Sequence, residues 1–213
     1  MASTPRSRGR PRSETTRRAI LDAALELAER EPYGDVTVDR IALAAKVGKQ
    51  SIYRWWTSKA DVILEAFAEC QPGEPPPMTG ADDAIVALEL TLQSLSARTT
   101  TPAAARVMRG LLAEAQLDDV LRQKLDQRLL APWRAMLAAI LAQGQARGEV
   151  RADVDMAAAI DLILGGLWIR LLAVAPAEGA QPPIAPIIQM LRPALVPADR
   201  ARATRPDGGV FEA

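Results

Sequence analysis

The stretch from Thr37 to Lys59, TVDRIALAAKVGKQSIYRWWTSK, constrains the fold more than any other part of the chain. Thr37 is a helix-capping residue, and the apolar residues after it recur with a helical period. The pattern stops at Lys46-Val47-Gly48, and Ile52 and Trp56 then have the spacing of one face of a second short helix. Two short helices joined by so tight a turn predict a helix-turn-helix, a motif whose second helix fits the major groove of DNA.

The second helix of this motif carries mostly side chains that can donate hydrogen bonds, which phosphates and base edges accept. These donors are Lys49, Gln50, Ser51, Tyr53, Arg54 and Trp55. The alternative is an ordinary solvated helix face, but neighbouring exposed aromatic residues are unusual on such a face. The sequence therefore predicts a DNA-contacting surface here, with Ile41, Ile52 and Trp56 packed beneath it as scaffold.

The segment AAKVGKQSIYRWWTSKADVI, with the long helix predicted before it, resembles the DNA-binding domain of the TetR/AcrR transcriptional regulators. The resemblance covers residues 12–70. The family has a glycine where this chain has Lys46, at a position that usually requires a left-handed or otherwise strained backbone. The resemblance implies base and phosphate contacts for Lys49, Gln50 and Ser51, and contacts with the DNA backbone for Tyr53, Trp55 and Lys59. Thr37 and Arg40, at the front of the preceding helix, are candidates for further backbone contacts.

Residues 1–12, MASTPRSRGRPR, contain four arginines and no apolar periodicity, so they are predicted to form a disordered basic arm. The core of the arm, Arg8-Gly9-Arg10-Pro11, resembles an AT-hook, an extended element that places arginines in a narrow minor groove. Arg8 and Arg10 are the candidates for that contact. The alternative is a solvated tail that makes only loose phosphate contacts.

Composition and charge favour an all-α protein with a basic end. Apolar residues make up 49% of the chain and aromatic residues only 4%, with alanine and leucine dominant, which favours helices. The formal net charge is zero, but residues 1–60 carry 12 Lys and Arg against 7 Asp and Glu, whereas residues 61–213 carry 14 against 19. A basic module joined to an acidic one is the charge distribution expected of a DNA-reading domain with a partner domain.

The residues that the chain lacks argue against an enzyme and a metal site. The sequence contains no histidine, the commonest general base and zinc ligand, and Cys70 is its only cysteine. It has no Gly-rich phosphate loop and no Glu-x-x-His motif, so we expect no catalytic residue, metal or cofactor. The start has no signal-peptide core, and Ile160–Ala175 is too short and too charged to span a membrane. We therefore expect a cytoplasmic protein with no membrane partner.

Breaks in composition divide the chain into five predicted segments. After the arm comes a helix-turn-helix domain at 13–70, whose first helix is expected to begin near Ser13. A linker rich in Pro and Gly at 71–81 leads to a helical domain at 82–197, and a disordered tail follows at 198–213. Pro132 either begins a new helix or kinks a longer one, and both alternatives stay open at this point.

The stretch from Ile160 to Ala175 is apolar around its whole circumference, which requires burial on both sides of the helix. Its two adjacent glycines let another helix approach closely. In TetR-like proteins the last two helices form a four-helix dimer interface, so the resemblance implies a homodimer. The implied interface residues are Gly165, Gly166, Ile169, Leu172, Ile188 and Leu191. The alternative is a helix buried within a monomer.

Large apolar side chains of the 82–197 domain are candidates to line a cavity. They are Met108, Leu112, Trp133, Met136 and Trp168. Most such residues in a helical protein are simply core, which is the alternative for each of them. The resemblance implies that a small apolar or amphipathic effector binds in this domain and changes the spacing of the DNA-reading helices.

Together these features predict a homodimeric repressor that binds a palindromic double-stranded DNA operator and is released by an effector. Two-fold symmetry places the reading helices in successive major grooves, roughly 34–36 Å apart. The alternative is an effector-independent dimeric DNA-binding or architectural protein, in which the C-terminal domain only dimerises. An all-helical enzyme is a third hypothesis, which the missing catalytic motifs disfavour.

Overall fold

A computed structural model of the chain describes residues 10–70, 83–173 and 184–203. All regular structure within those residues is helical, which confirms the predicted all-α class. In chain order the helices are α1 (Arg10–Arg30), α2 (Val38–Ala44), α3 (Lys49–Tyr53), α4 (Lys59–Glu69), α5 (Ala84–Thr99), α6 (Pro102–Ala115), α7 (Asp119–Leu125), α8 (Ala131–Ala146), α9 (Met156–Ala173), α10 (Ile184–Leu195) and α11 (Ala198–Ala203). A 3₁₀ turn, Tyr33–Asp35, precedes α2, and a π-helical segment, Asp126–Leu130, joins α7 to α8. Among the helices described, none is long and apolar enough to cross a membrane.

The helices form two compact units that do not follow the order of the chain. The first unit contains α1 to α4 together with α6, α7 and the π-helical segment, and the second contains α5 and α8 to α11. The predicted helical domain at 82–197 therefore contributes helices to both units. The predicted linker at 71–81 lies outside the described residues.

Helix α4 is the buried centre of the first unit. It packs against α1, α6 and α7, and the apolar side chains along it are almost completely removed from solvent. Val62, Ile63 and Phe67 belong to this buried set, as their helical spacing predicts. Ser58 caps the helix by accepting a hydrogen bond from the Asp61 N–H at 3.1 Å.

Two carboxylates one turn apart on α4 bind cations on the helical segment that runs from α7 into the π-helix. Asp61 Oδ1 accepts from Lys124 Nζ at 2.6 Å, and Glu65 Oε2 accepts from Arg128 at 2.6 Å. Burial by itself raises the pKa of both carboxyls, but these hydrogen bonds hold the pKa of each below its ordinary value. Both groups therefore stabilise the fold above the carboxyl pKa of the unfolded chain, and that stabilisation is lost in acid.

The helix-turn-helix forms where the sequence predicts it. The Thr37 hydroxyl caps α2 by accepting from the Arg40 N–H at 3.3 Å, and Ile41, Ile52 and Trp56 are buried as expected. The indole N–H of Trp56 donates to the Glu65 carboxylate, so the one polar atom of this buried ring is satisfied.

In the turn between α2 and α3, Lys46 stands where the resembling family has a glycine. Lys46 has a φ of +55°, so of the left-handed or otherwise strained conformations that the resemblance implies for this position, the chain adopts the left-handed one. The Val47 N–H donates to the Ala42 carbonyl at 3.0 Å, and the Lys46 N–H donates to the Leu43 carbonyl at 3.2 Å. This pair of bonds is a Schellman motif, which ends α2 and lets the chain turn sharply into α3.

The structure differs from the predicted helix boundaries at both ends of the chain. Helix α1 begins at Arg10, before the expected start at Ser13, because Pro11 is tolerated in the first helical turn. In the predicted tail, residues 198–203 form α11. Asp155 caps α9, since its carboxylate accepts from the Ala158 N–H at 3.1 Å.

Pro132 lies within one continuous helical segment that runs from α7 through the π-helix into α8. A proline cannot donate to the carbonyl four residues earlier, and its ring clashes with that carbonyl. The wider π turn directly before α8 accommodates the proline without ending the helix. Of the two alternatives, Pro132 therefore lies within a longer helical segment that contains a π turn, and it does not begin a separate helix.

In the second unit, α5 packs directly on α8. Gly144 of α8 permits the close approach, since a Cβ at this position would lie 2.6 Å from the Ala84 Cβ and 2.7 Å from Val150. Glu149 accepts a hydrogen bond from the Ala84 N–H at 3.0 Å. The end of α8 thereby fixes the start of α5.

We predict that Lys46→Gly raises the free energy of unfolding by about 1 kcal/mol, because glycine adopts the left-handed region without a Cβ clash. Chemical denaturation monitored by circular dichroism measures the change. Ala44→Gly is the matched control, since it puts glycine into the regular part of α2 and should destabilise by about 1 kcal/mol. A Lys46→Gly protein no more stable than the parent would show that the turn holds no strain.

Candidate nucleic-acid interface

Helix α3 presents its polar side chains to solvent. Gly48 precedes it in an extended conformation (φ −77°, ψ 146°), and the Gly48 carbonyl accepts the first helical hydrogen bond from the Ser51 N–H at 2.9 Å. Lys49, Gln50 and Tyr53 are exposed, and Ser51 is half-buried. The four α3 side chains that the sequence marks for bases and phosphates are therefore brought onto one short helix above the buried Ile52.

Trp55 lies directly after α3 between a cation and a second indole. The guanidinium carbon of Arg54 is 5.7 Å from the Trp55 ring centroid, and the Trp56 ring is 5.6 Å away at a tilt of 34°. These contacts leave Trp55 half-buried, so part of its edge reaches solvent beside the exposed Arg54. The pair of tryptophans thus divides as predicted, with Trp56 in the core and Trp55 at the surface.

The charged candidates near α2 are bound by acidic groups of the protein itself. Lys49 forms an ion pair with Asp39, which lies on α2. Arg40 donates to the Glu31 carboxylate at 2.6 Å and to the Asp35 carbonyl at 3.2 Å. Exposed ion pairs of this kind contribute little stability, so a DNA phosphate can compete with them for the cation.

Lys59 is the first residue of α4 and is held by the 3₁₀ turn. Its Nζ donates to the Tyr33 carbonyl at 2.9 Å and lies 4.6 Å from the centroid of the Tyr33 ring. An ammonium group has three donors, so this carbonyl leaves two of them for a further acceptor. The Thr37 hydroxyl is exposed but already caps α2.

The structure does not show where the side chains of Arg8 and Arg10, the two candidate arginines of the predicted arm, lie. Arg8 lies outside the described residues, and Arg10 is the first residue of α1. Their contact with the minor groove stays a prediction. The sequence reading missed two residues that the structure places at this surface, Tyr33 and Asp39. Each lies beside a lysine from a later helix, Tyr33 beside Lys59 and Asp39 beside Lys49, so no spacing rule points to these contacts.

The candidate effector residues fall in both units. Met108 and Leu112 belong to the first unit, and Trp133, Met136 and Trp168 belong to the second. Trp133 is buried, and its ring lies 6.4 Å from that of the half-buried Trp168 at a tilt of 36°. Pairs of indoles in this geometry attract one another beyond their area burial. A shared ligand site for the five residues stays a prediction.

The candidate dimer residues separate into exposed and buried ones. On α9, Gly165, Ile169 and Leu172 are exposed, and on α10 Leu191 is half-buried. Ile188 is only 1% exposed, so it packs in the core of its own protomer and is not accessible to a second copy.

Gly166 faces α10 of the same protomer. A Cβ added at Gly166 would lie 3.0 Å from the Ile187 Cδ1, so this glycine permits close packing within the chain. Gly165 has open space around it. The two adjacent glycines therefore differ in role, because successive residues of a helix point about 100° apart.

Comparison with known proteins finds a family model for the N-terminal part of the chain and another for the C-terminal part. Residues 20–66 match the family model described as "Bacterial regulatory proteins, tetR family". Residues 76–181 match the model described as "Tetracyclin repressor-like, C-terminal domain". The first match contains α2, α3 and most of α4, so the residues of the candidate interface lie within a recognised DNA-binding domain.

Relatives and solved structures agree with these matches. The chain is 38% identical over 166 residues to the uncharacterized HTH-type transcriptional regulator YdeS of Bacillus subtilis, covering 78% of this chain and 82% of that protein. It is 27% identical over 172 residues to the DNA-binding transcriptional repressor TetR of Mycobacteroides abscessus, covering 79% and 88%. The crystal structure of the TetR family regulator SCO0332 is 28% identical with a TM-score of 0.65, covering 85% of this chain and 99% of that one.

Proposed function

The chain belongs to the TetR family of DNA-binding transcriptional regulators, and from this premise we propose that it is a cytoplasmic homodimeric repressor that an effector releases from a palindromic operator. The observation that carries the proposal is the set of polar side chains on α3 together with Lys59 at the start of α4. The contact residues we propose are Arg8, Arg10, Thr37, Arg40, Lys49, Gln50, Ser51, Tyr53, Trp55 and Lys59.

In this proposal the start of α3 enters the major groove. Gln50 is exposed near the helix start and carries the donor and acceptor pair that recognises adenine. Lys49 leaves Asp39 for a phosphate or a guanine edge, and the Tyr53 hydroxyl contacts the DNA backbone. Lys59 keeps its bond to the Tyr33 carbonyl and offers its remaining donors to a phosphate.

Dimerisation rests on the exposed apolar face of α9. Leu162, Ile169 and Leu172 are each more than half exposed, and with Gly165 they follow one another at intervals of three and four residues. That spacing forms one stripe along a helix, and apolar stripes of this kind pack against a partner. Met190 on α10, 81% exposed, adds apolar surface on the neighbouring helix. We therefore propose that two copies join through α9 and α10.

Effector binding rests on the fold and on the apolar character of the second unit. FadR from Bacillus subtilis, whose fold is similar at 22% identity and a TM-score of 0.62, was solved in complex with stearoyl-CoA. For this chain we propose an apolar or amphipathic effector whose contacts include Trp133 and Trp168. Such a ligand releases DNA only if it binds the released state more tightly than the DNA-bound one.

Removing the proposed contacts should weaken binding to DNA from the promoter region of the chain's own gene. We expect Lys49→Ala, Tyr53→Ala and Lys59→Ala together to raise Kd by more than about 100-fold, or about 2.7 kcal/mol. Because each lost phosphate contact lowers the slope of log Kd against log salt by about 0.9, the slope should also fall. Fluorescence anisotropy over a salt series measures both quantities.

Two further variants separate this site from general charge effects. Asp39→Asn releases Lys49 from its ion pair and should tighten binding. Arg122→Ala removes an exposed cation of α7 and should leave Kd within about two-fold of the parent. Unchanged affinity and salt slope in the triple variant would exclude this surface as the DNA contact.

The α9 stripe predicts the effect of one charge on oligomeric state. Ile169→Glu places a carboxylate in the proposed interface, where burying it without a partner is costly, so the protein should become monomeric. Analytical ultracentrifugation measures the change. Leu117→Glu is the matched control, because Leu117 is an apolar residue that is 93% exposed and belongs to the first unit rather than to the α9 stripe. Persistence of a dimer in Ile169→Glu would place the interface elsewhere.

Effector control is tested by thermal shift with a series of fatty acids and acyl-CoA thioesters. A ligand present at about 100 times its Kd stabilises the protein by about 2.7 kcal/mol, and the same compound should release operator DNA. Trp168→Ala should weaken that stabilisation without removing DNA binding. Stabilisation by none of these compounds, with operator binding intact, would favour an effector-independent architectural protein.

A further inference from the structure

The Tyr33 side chain occupies a site on α6 that exists because residue 110 is glycine. A Cβ at Gly110 would overlap Cγ and Cδ2 of the Tyr33 ring and would lie 2.6 Å from the Tyr33 Cβ. The Tyr33 hydroxyl oxygen is buried. Any larger residue at position 110 would therefore clash with the ring. The clash could be relieved only by moving the helix backbone or the whole ring, and either movement would cost packing contacts.

Three residues on one face of α6 lie against the end of α1 and the 3₁₀ turn that follows it: Arg106, Gly110 and Glu114. They are spaced four apart, which places them one above another on a helix. Arg106 donates to the carbonyl of Glu29 in the last turn of α1, and Gly110 receives the Tyr33 ring. Burial and the neighbouring Glu114 carboxylate raise the pKa of Tyr33 far above its usual range, so the phenol stays neutral. The turn is thus fixed on α6 rather than left as a free loop.

Tyr33 in turn fixes the end of the Lys59 side chain through two separate groups. The carbonyl accepts from Nζ at 2.9 Å, and the ring lies 4.6 Å from the same nitrogen, within the range of a cation–π contact. A lysine side chain has four rotatable bonds, and ordering it opposes binding unless the protein has already ordered it. An ammonium held at one place with two donors left meets a phosphate without that entropic cost.

We propose that Tyr33, placed by Gly110, is a positioning residue that holds the Lys59 ammonium for its contact with the DNA backbone. This inference rests on the proposed function, in which Lys59 binds a phosphate. Tyr33 itself touches no DNA in this proposal. Its effect on operator affinity should therefore depend entirely on Lys59.

A double-mutant cycle on the full-length protein tests that dependence. Tyr33→Leu removes the ring and should raise the operator Kd roughly 10-fold in the parent protein, because a dimer would lose two cation–π contacts. In a Lys59→Ala background the same change should alter Kd by less than about two-fold. Tyr33→Phe keeps the ring and the carbonyl and should bind like the parent. The salt slope of Tyr33→Leu should shift toward that of Lys59→Ala.

The outcomes distinguish this inference from the function on which it rests. An unchanged Kd in Lys59→Ala alone would overturn the phosphate contact and the inference together. If Lys59→Ala weakens DNA binding but Tyr33→Leu raises Kd by the same factor in both backgrounds, only the inference would be overturned. The two effects on the binding free energy would then be additive, as expected if Tyr33 has a structural role that is independent of Lys59. Tighter binding by Tyr33→Leu would overturn it as well, since Tyr33 would then withhold Lys59 from DNA.

Nuclear magnetic resonance of the unaltered protein covers the case in which Tyr33→Leu does not fold. The chain has four lysines, Lys46, Lys49, Lys59 and Lys124, so their side-chain methylene signals can be assigned by single substitutions. The ring current of Tyr33 should shift the Lys59 Hε protons upfield relative to those of the other three, both free and on operator DNA. A Lys59 signal at the position of the exposed Lys46 would overturn the inference.

Discussion

The burial of α4 is the constraint on which the first unit depends. This helix begins at the proposed phosphate contact, Lys59, and its apolar residues pack against α1, α6 and α7. Two of its carboxylates, Asp61 and Glu65, are mostly removed from water and pair with the cations Lys124 and Arg128. Any displacement of the helix would break apolar contacts and these ion pairs at once. The helix-turn-helix that precedes α4 is therefore attached to a helix held by many contacts.

Charge at the candidate interface is compensated within the protein before DNA arrives. Lys49 pairs with Asp39, Arg40 with Glu31, and Lys59 with a carbonyl and a ring. For Lys49 and Arg40, binding a phosphate would exchange a carboxylate partner for the phosphate, so the net gain per contact is smaller than the charge count suggests. The basic surplus of residues 1–60 supports attraction to DNA in general. In the proposed complex, selectivity falls to the α3 side chains that would contact base edges.

Helix α9 of the second unit has both buried and exposed apolar side chains, a difference that composition does not show. In α9, Ile163, Leu164 and Leu171 are buried, whereas Leu162 and Ile169 are exposed. A helix that is apolar all round needs packing partners on every side, and within the described residues α8 and α10 cover only part of α9. The exposed stripe is the physical reason to expect a second copy.

The sequence by itself determined the local structure and the family. Capping at Thr37 and the buried positions Ile52 and Trp56 follow from the spacing of residues within a few positions of one another, where the rules are short-ranged.

Only the tertiary structure decided which distant residues meet. The placement of Tyr33 between Gly110 and Lys59, the pairing of Asp61 with Lys124 and the burial of Ile188 within its own protomer depend on how separate helices pack. Pro132 likewise continues a helix because a π turn accommodates it. Periodicity records which face of a helix is apolar, but the partner of that face is chosen by packing across the fold.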